Sequence, residues 1–136
     1  MEIIQFLQDN IYNLLHKNKN IQIENIFVTP KKNSSYPFLL IQVKNITDES
    51  NLKDDIFLSD VVIQIYDKNT SKTNKKLLDN AKSVIDTIQE LKDINNLYYT
   101  IKNINFINAN LEVFNEINTI WMTEIVFKIV VQKNGN

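Results

Sequence analysis

The sequence predicts an α+β fold: a mainly antiparallel sheet packed against two helices, in the order α-β-β-α-β-β, with a short extra strand after the first helix. Three observations predict it. Two stretches repeat apolar residues at the 3.6-residue period of a helix, the remaining apolar stretches read as extended, and the extended ones come in consecutive pairs on either side of the second helix. With 136 residues, 43% of them apolar, the chain has the size and the core material of one domain, 1–136, with 133–136 expected as a frayed tail.

The first helix is expected over 3–16, where Ile3, Ile4, Leu7, Ile11, Leu14 and Leu15 form one stripe and Gln5, Asp9, Asn13 and His16 lie away from it. Lys17 to Asn20 break it, and Ile21 to Val28 reads as a short extended stretch ending at Thr29-Pro30. A polar loop, Lys31 to Ser35, is closed by Tyr36-Pro37. Phe38-Leu39-Leu40-Ile41-Gln42-Val43 follows, apolar on both faces as a central strand would be. Asn45 to Asp55 is an acidic connection that reads as a surface loop. From Ile56 to Tyr66, Phe57, Val61, Ile63 and Ile65 alternate with Leu58, Asp60, Val62, Gln64 and Tyr66, which predicts a second long strand in hairpin with the first.

Asp67 to Ser71 supplies N-cap candidates, and Leu77, Leu78, Ala81, Val84, Ile85, Ile88 and Leu91 form the stripe of the second helix. Opposite it, Lys75/Asp79 and Lys82/Asp86 have i,i+4 spacing. Tyr98 to Asn105, running on as far as Leu111, and Thr119 to Gln132 are the last strands. In the final one, Trp121, Thr123, Ile125, Phe127, Ile129 and Val131 share a face. Asn115 to Asn118 is the turn between them, with Asn in place of Gly at any left-handed position.

The extreme counts exclude whole classes of chemistry. A single Gly, Gly135, removes the Gly-rich phosphate loops, which need glycine where backbone approaches phosphate. The absence of Cys removes disulfides, thiolate metal sites and Cys nucleophiles. One His, on the polar face of the first helix, is expected to be a solvated residue near a helix C-terminus and leaves no material for a catalytic set. No catalytic residue, metal site or cofactor is therefore expected. A formal charge of −1, with fifteen Lys and no Arg against sixteen carboxylates, gives no field toward nucleic acid or acidic lipid. No signal peptide or membrane span is read in the chain, and a cytoplasmic protein is the expectation. The 21 Asn and 21 Ile read as AT-rich coding bias.

The candidate chemical clusters each have a plain alternative. Asp48, Glu49, Asp54 and Asp55 lack the Gly-bearing frame of a calcium loop and are expected to be solvated. If the chain were instead a small metal-dependent or binding domain, Asp54, Asp55, Asp60 and Asp67 would be the suspects. Lys31-Lys32 and Lys72/Lys75/Lys76 are the basic clusters and Tyr98-Tyr99 the aromatic doublet, without the frame of an RNA platform.

The order and local wording of the elements resemble the small phage tail-completion, or tail terminator, proteins, a family also found in defective prophages and gene transfer agents. The resemblance covers most of the chain. It is carried by Val28-Thr29-Pro30 after a first short strand, by Tyr36-Pro37-Phe38-Leu39-Leu40 opening the next, and by Ile63-Gln64-Ile65-Tyr66-Asp67. Lys75-Lys76-Leu77-Leu78-Asp79-Asn80-Ala81 then starts a helix, and a closing strand pair ends in Trp121 to Val131. The resemblance implies a non-catalytic virion protein, assembled in the host cytoplasm and placed at the tail–neck junction. It would form a homo-oligomer, a six-membered ring, that caps the tail tube and stops its polymerisation. Its partners would be the major tail tube protein and the head connector, with DNA passing through the ring without sequence-specific contact. Another neck component, a head–tail connector or head-closure protein, is the alternative. By position, the loops 30–36 and 45–55 are the expected partner contacts, which nominates Lys31, Lys32, Tyr36, Asp48, Glu49, Asp54 and Asp55, with sheet edges or the helices expected to carry the ring interface.

Overall fold

A computed structural model describes residues 2–29, 35–68, 74–117 and 119–135. Helix α1 spans Glu2–Lys17, followed by strands β1 (Asn25–Phe27), β2 (Phe38–Asp48) and β3 (Asp55–Lys68). Helix α2 spans Lys75–Ile88 and ends in a single 3₁₀ turn, Gln89–Leu91, before β4 (Tyr99–Asn115) and β5 (Ile120–Lys133). The five strands form one sheet in the order β1-β2-β3-β5-β4. All neighbours are antiparallel except β1 and β2, which pair in parallel over three residues. The expected α+β plan, including the short extra strand, is the one observed.

Three boundaries differ from the sequence reading, each for a physical reason. Strand β2 continues through Asn45 to Asp48, residues expected in the acidic loop, because a register shift between Val43 and Ile46 lets Ile46, Thr47 and Asp48 pair with Ser59, Leu58 and Phe57. A bulge of this kind keeps a polar segment in the ladder where apolar alternation has stopped. Strand β4 likewise runs on to Asn115, carried past its polar stretch by shifts at 101/103, 106/108 and 113/115. At the start of α2, Asp67 and Lys68 belong to β3 and 69–71 lie outside the described residues. Asn74 takes the N-cap position, and its side chain makes no capping bond.

Both helices lie on one face of the sheet. Ile3, Phe6, Leu7, Ile11 and Leu15 of α1 and Leu77, Ala81, Val84 and Ile88 of α2 join one core cluster with Leu39, Ile41, Val61, Ile63, Ile65, Ile125, Phe127, Ile129 and Val131. Phe6 belongs to the buried stripe, whereas Leu78, expected in the stripe of α2, is exposed. Cross-links tie the layers together. Tyr99 donates its hydroxyl to Glu2 Oε2 at 3.3 Å, Asn18 Nδ2 donates to Thr87 Oγ1 at 2.6 Å, and the Gln22 N–H donates to Asn80 Oδ1 at 2.9 Å. Burial, then the Glu2 carboxylate, pushes the Tyr99 phenol above its ordinary value of 10.0.

The opposite face of the sheet carries no helix among the described residues. There polar pairs and aromatic contacts lie among aliphatic residues such as Leu40, Val62 and Met122. Lys128 and Asp60 pair at 3.7 Å, and Gln64 Nε2 donates to Glu124 Oε2 at 2.9 Å. Phe38 stacks on Tyr66 at 4.7 Å, and Phe114 meets Tyr66 edge-on at 5.0 Å. Burial first, then the carboxylates of Glu124 and Glu112, raise the Tyr66 phenol above its ordinary value.

Two buried hydroxyls, Ser59 Oγ and Thr123 Oγ1, have no hydrogen-bond partner among the described residues. An unsatisfied buried polar atom costs about 1–3 kcal/mol, whereas an apolar group of the same shape costs nothing of the kind. Ser59→Ala and Thr123→Val are therefore each expected to raise the unfolding free energy by about 1 kcal/mol. Urea denaturation checks this, and a loss of stability in both would contradict it. The left-handed positions among the described residues are Asp93 (φ 69°) and Thr119 (φ 52°), so Asp and Thr hold conformations expected of Asn.

Candidate interaction surfaces

The nominated residues fall at opposite ends of the sheet. Asp48, Glu49, Asp54 and Asp55 form the β2–β3 hairpin tip, where Asp48 pairs with Phe57. Tyr36 precedes the other end, where Phe38 pairs with Tyr66. The structure thus separates Tyr36 from the acidic group that the sequence reading nominated with it. Lys31 and Lys32 lie outside the described residues.

The tip is ordered by its own short polar side chains. Asp48 Oδ1 accepts from the Ser50 N–H at 2.8 Å, and Asn51 Oδ1 accepts from the N–H groups of Lys53 and Asp54, both at 2.8 Å. Backbone bonds close it, Glu49 N–H to Ile56 O at 2.8 Å and Asn51 N–H to Asp54 O at 3.0 Å. Asp54 is drawn back toward the sheet by Gln132 Nε2 at 3.1 Å. At the apex stands Leu52, whose relative exposure of 106% leaves it wholly in solvent.

Hydrogen bonds from Ser50 hold the Asp48 carboxyl below its ordinary value of 3.8. A depressed carboxylate pKa means the stabilisation is present above that ordinary value and is lost as pH falls through the lowered one. The Ser50 amide shift is therefore expected to titrate with a midpoint below 3.8, and the transition disappears in Asp48→Asn. A midpoint at or above the free value would contradict the bond.

At the other end, Tyr36 stands 5.4 Å from Phe38, ring to ring, with Lys68 Nζ 5.7 Å over its face. Tyr36 and Pro37, joined by a cis peptide bond, form one wall of a cleft of about 760 Å³. Trp121, Asn80, Lys68 and Lys76, with the carboxylates of Asp67 and Asp79, line the rest of it at the start of α2. Lys75 pairs with Asp79 at 2.6 Å, which raises its pKa above 10.5.

A third surface follows from the sequence only as an unspecified sheet edge, and the structure gives it a strand. Strand β4 ends the sheet, and from Phe106 onward its apolar side chains are uncovered: Phe106, Ile107, Leu111, Val113 and Phe114 are all exposed. Between Asn103 and Asn115 only Glu112 is charged. The signal was the apolar–Asn alternation of residues 103–115, which two-residue periodicity flags only up to the shift at 106/108.

The remaining candidates do not converge. His16 is exposed in the last turn of α1 and stacks on Tyr12 at 5.6 Å. Asp60 is paired with Lys128, Asp67 accepts from the Lys68 N–H, and Asp54 is held by Gln132. Among the described residues, no three His, Asp or Glu side chains are grouped to hold a metal ion. No helix among them is long and apolar enough to cross a membrane.

No protein-family model and no curated protein matches the chain. Solved structures do. The chain is similar to one in the virion of a native gene transfer agent particle, with a TM-score of 0.70 and 14% identity over 93% of this chain and 94% of that one. It is also similar to the gp17 protein of bacteriophage SPP1, with a TM-score of 0.59 and 13% identity over 100% of this chain and 94% of that one. Phages and gene transfer agents are the particles to which the sequence resemblance points, and the fold of this chain is one found in both.

Proposed function

We propose that the protein is a structural subunit of a phage-like tail. It forms a ring, six-membered as the resemblance implies, that caps the tail tube, stops its polymerisation and presents the surface to which the head connector docks. It works in the host cytoplasm during assembly and then in the virion at the tail–neck junction. The role is non-catalytic and needs no cofactor.

The observation that carries this reading is the β4 edge within a fold shared with virion and phage proteins. Monomers blunt a long edge strand with charges, Pro or a covering segment. Here thirteen residues, 103–115, carry one charge and exposed apolar side chains on both faces of the strand, Phe106 beside Phe127 and Phe114 beside Tyr66. From their exposures, with full side-chain areas of roughly 150–250 Å² for the aromatic ones, the strip offers several hundred Å² of apolar surface. That is the upper range for a monomer and suits an interface.

The test is mass photometry of the chain alone and with the matching tail-tube protein, with electron micrographs of tube ends. A closed ring and tubes of arrested length are expected. A chain that stays monomeric under both conditions contradicts the reading, and a ring that binds only head-side proteins moves it to another place in the neck.

A further inference from the structure

Resting on that ring reading, we infer that the β2–β3 hairpin tip of one copy docks in the cleft at the start of α2 of the next copy. The two surfaces match in chemistry. The tip presents four carboxylates against the single cation Lys53, with Leu52 as a fully exposed apolar peg. The cleft carries three cations, Lys68, Lys75 and Lys76, against two carboxylates, Asp67 and Asp79, the latter paired with Lys75. The first i→i−4 bond of α2 is donated by the Leu78 N–H to Asn74 O at 2.9 Å, so the N–H groups of Lys75, Lys76 and Leu77 have no partner within the helix. They sit at the positive end of the helix dipole, beside the ammonium groups of Lys68 and Lys76.

A buried amide marks the cleft as a binding site. Asn80, 3% exposed, lines it, and while its Oδ1 accepts from Gln22, its Nδ2 has no partner among the described residues; the Oδ1 of Asn74, which also lines the cleft, is likewise left for an incoming donor. A donor left unsatisfied at that depth costs about 1–3 kcal/mol until an acceptor arrives, and a carboxylate is the strongest acceptor a protein offers. Tyr36, Pro37 and Trp121 supply the apolar wall for Leu52, and a volume of about 760 Å³ is enough for the tip of a hairpin.

The geometry makes the contact run between copies. Tip and cleft lie at opposite ends of β3, whose fourteen residues span roughly 45 Å, so one molecule cannot close the contact on itself. Two different patches meeting head to tail form a heterologous interface, the only kind that builds a ring of more than two identical subunits.

Two variants test this by sedimentation velocity, both altered only at exposed side chains so that melting curves are expected to match the parent. The tip variant is Glu49→Lys with Leu52→Ser. The cleft variant is Lys68→Gln with Lys76→Gln. Each alone is expected to lose the oligomer at least tenfold in affinity. An equimolar mixture is expected to form a heterodimer and nothing larger, because it retains one intact tip facing one intact cleft. A mixture that stays monomeric, or variants that each keep the parent oligomer, would overturn the contact while leaving the ring reading standing. A parent chain that is monomeric both alone and with tail-tube protein would remove both.

Discussion

Replacing Phe127 with Ala is expected to lower the unfolding free energy by about 3–5 kcal/mol, the range for emptying a buried aromatic site. Phe127 is fully buried at the centre of β5, between Val61 of β3 and Phe106 of β4 in the pairing register, with the Phe106 ring 5.9 Å away and edge-on. Three strands therefore lose their common filler at once, and rigid neighbours cannot close the gap. In a domain of this size, between those for which each kcal/mol corresponds to about 4–8 °C and those for which it is about 2–4 °C, the melting temperature is expected to fall by about 10 °C or more. Calorimetry checks it. A fall of less than about 1 kcal/mol would mean that the site relaxes around the cavity.

Leu7→Ala comes next, at about 2–5 kcal/mol. Leu7 has no exposed surface and lies in the stripe by which α1 packs on the sheet. Its loss acts at a distance as well. The segment that leaves α1 carries Asn18 and Gln22, whose bonds to Thr87 and Asn80 brace α2 and the cleft. A loosened α1 is expected to speed hydrogen exchange at the Gln22 amide more than at the amides of the β2–β3 tip, which bond within their own hairpin. Equal acceleration at both places would show that α1 does not brace the cleft.

The elements with strong periodicity were legible. Both helices and the inward faces of β3 and β5 follow from residue spacing, because a half-covered sheet and a two-layer fold impose those periods on the chain. Legibility failed where the backbone changed step. The bulge at Val43/Ile46 hides four further residues of β2 in a polar run, and the three shifts in β4 move Phe106, Leu111 and Phe114 out of any simple alternation. Of the candidate surfaces, the acidic tip was visible as a cluster of charge. The cleft was not, since Tyr36, Lys76, Asn80 and Trp121 are brought together only by the fold. A sheet edge was foreseen as an interface but not that β4 would be that edge, because edge position depends on strand order, and nothing local to residues 99–115 says that β5 will lie between them and β3.

That strand order also governs how the molecule must fold. Strand β5 sits between β3 and β4, and its pairing with β3 joins residues as far apart as Asp55 and Lys133. No sheet containing β4 can exist before β5 is in place, since β5 is the strand against which β4 pairs. Closing loops of that length before any contact rewards them places folding in the slow, non-local class, on the order of milliseconds to seconds. Until then the apolar strip of β4 has neither strand nor subunit beside it, so the segment best suited to assembly is also the one most exposed to misassociation. A chain shortened before β5 is accordingly expected to aggregate rather than to leave a smaller folded core, and light scattering during refolding would show it.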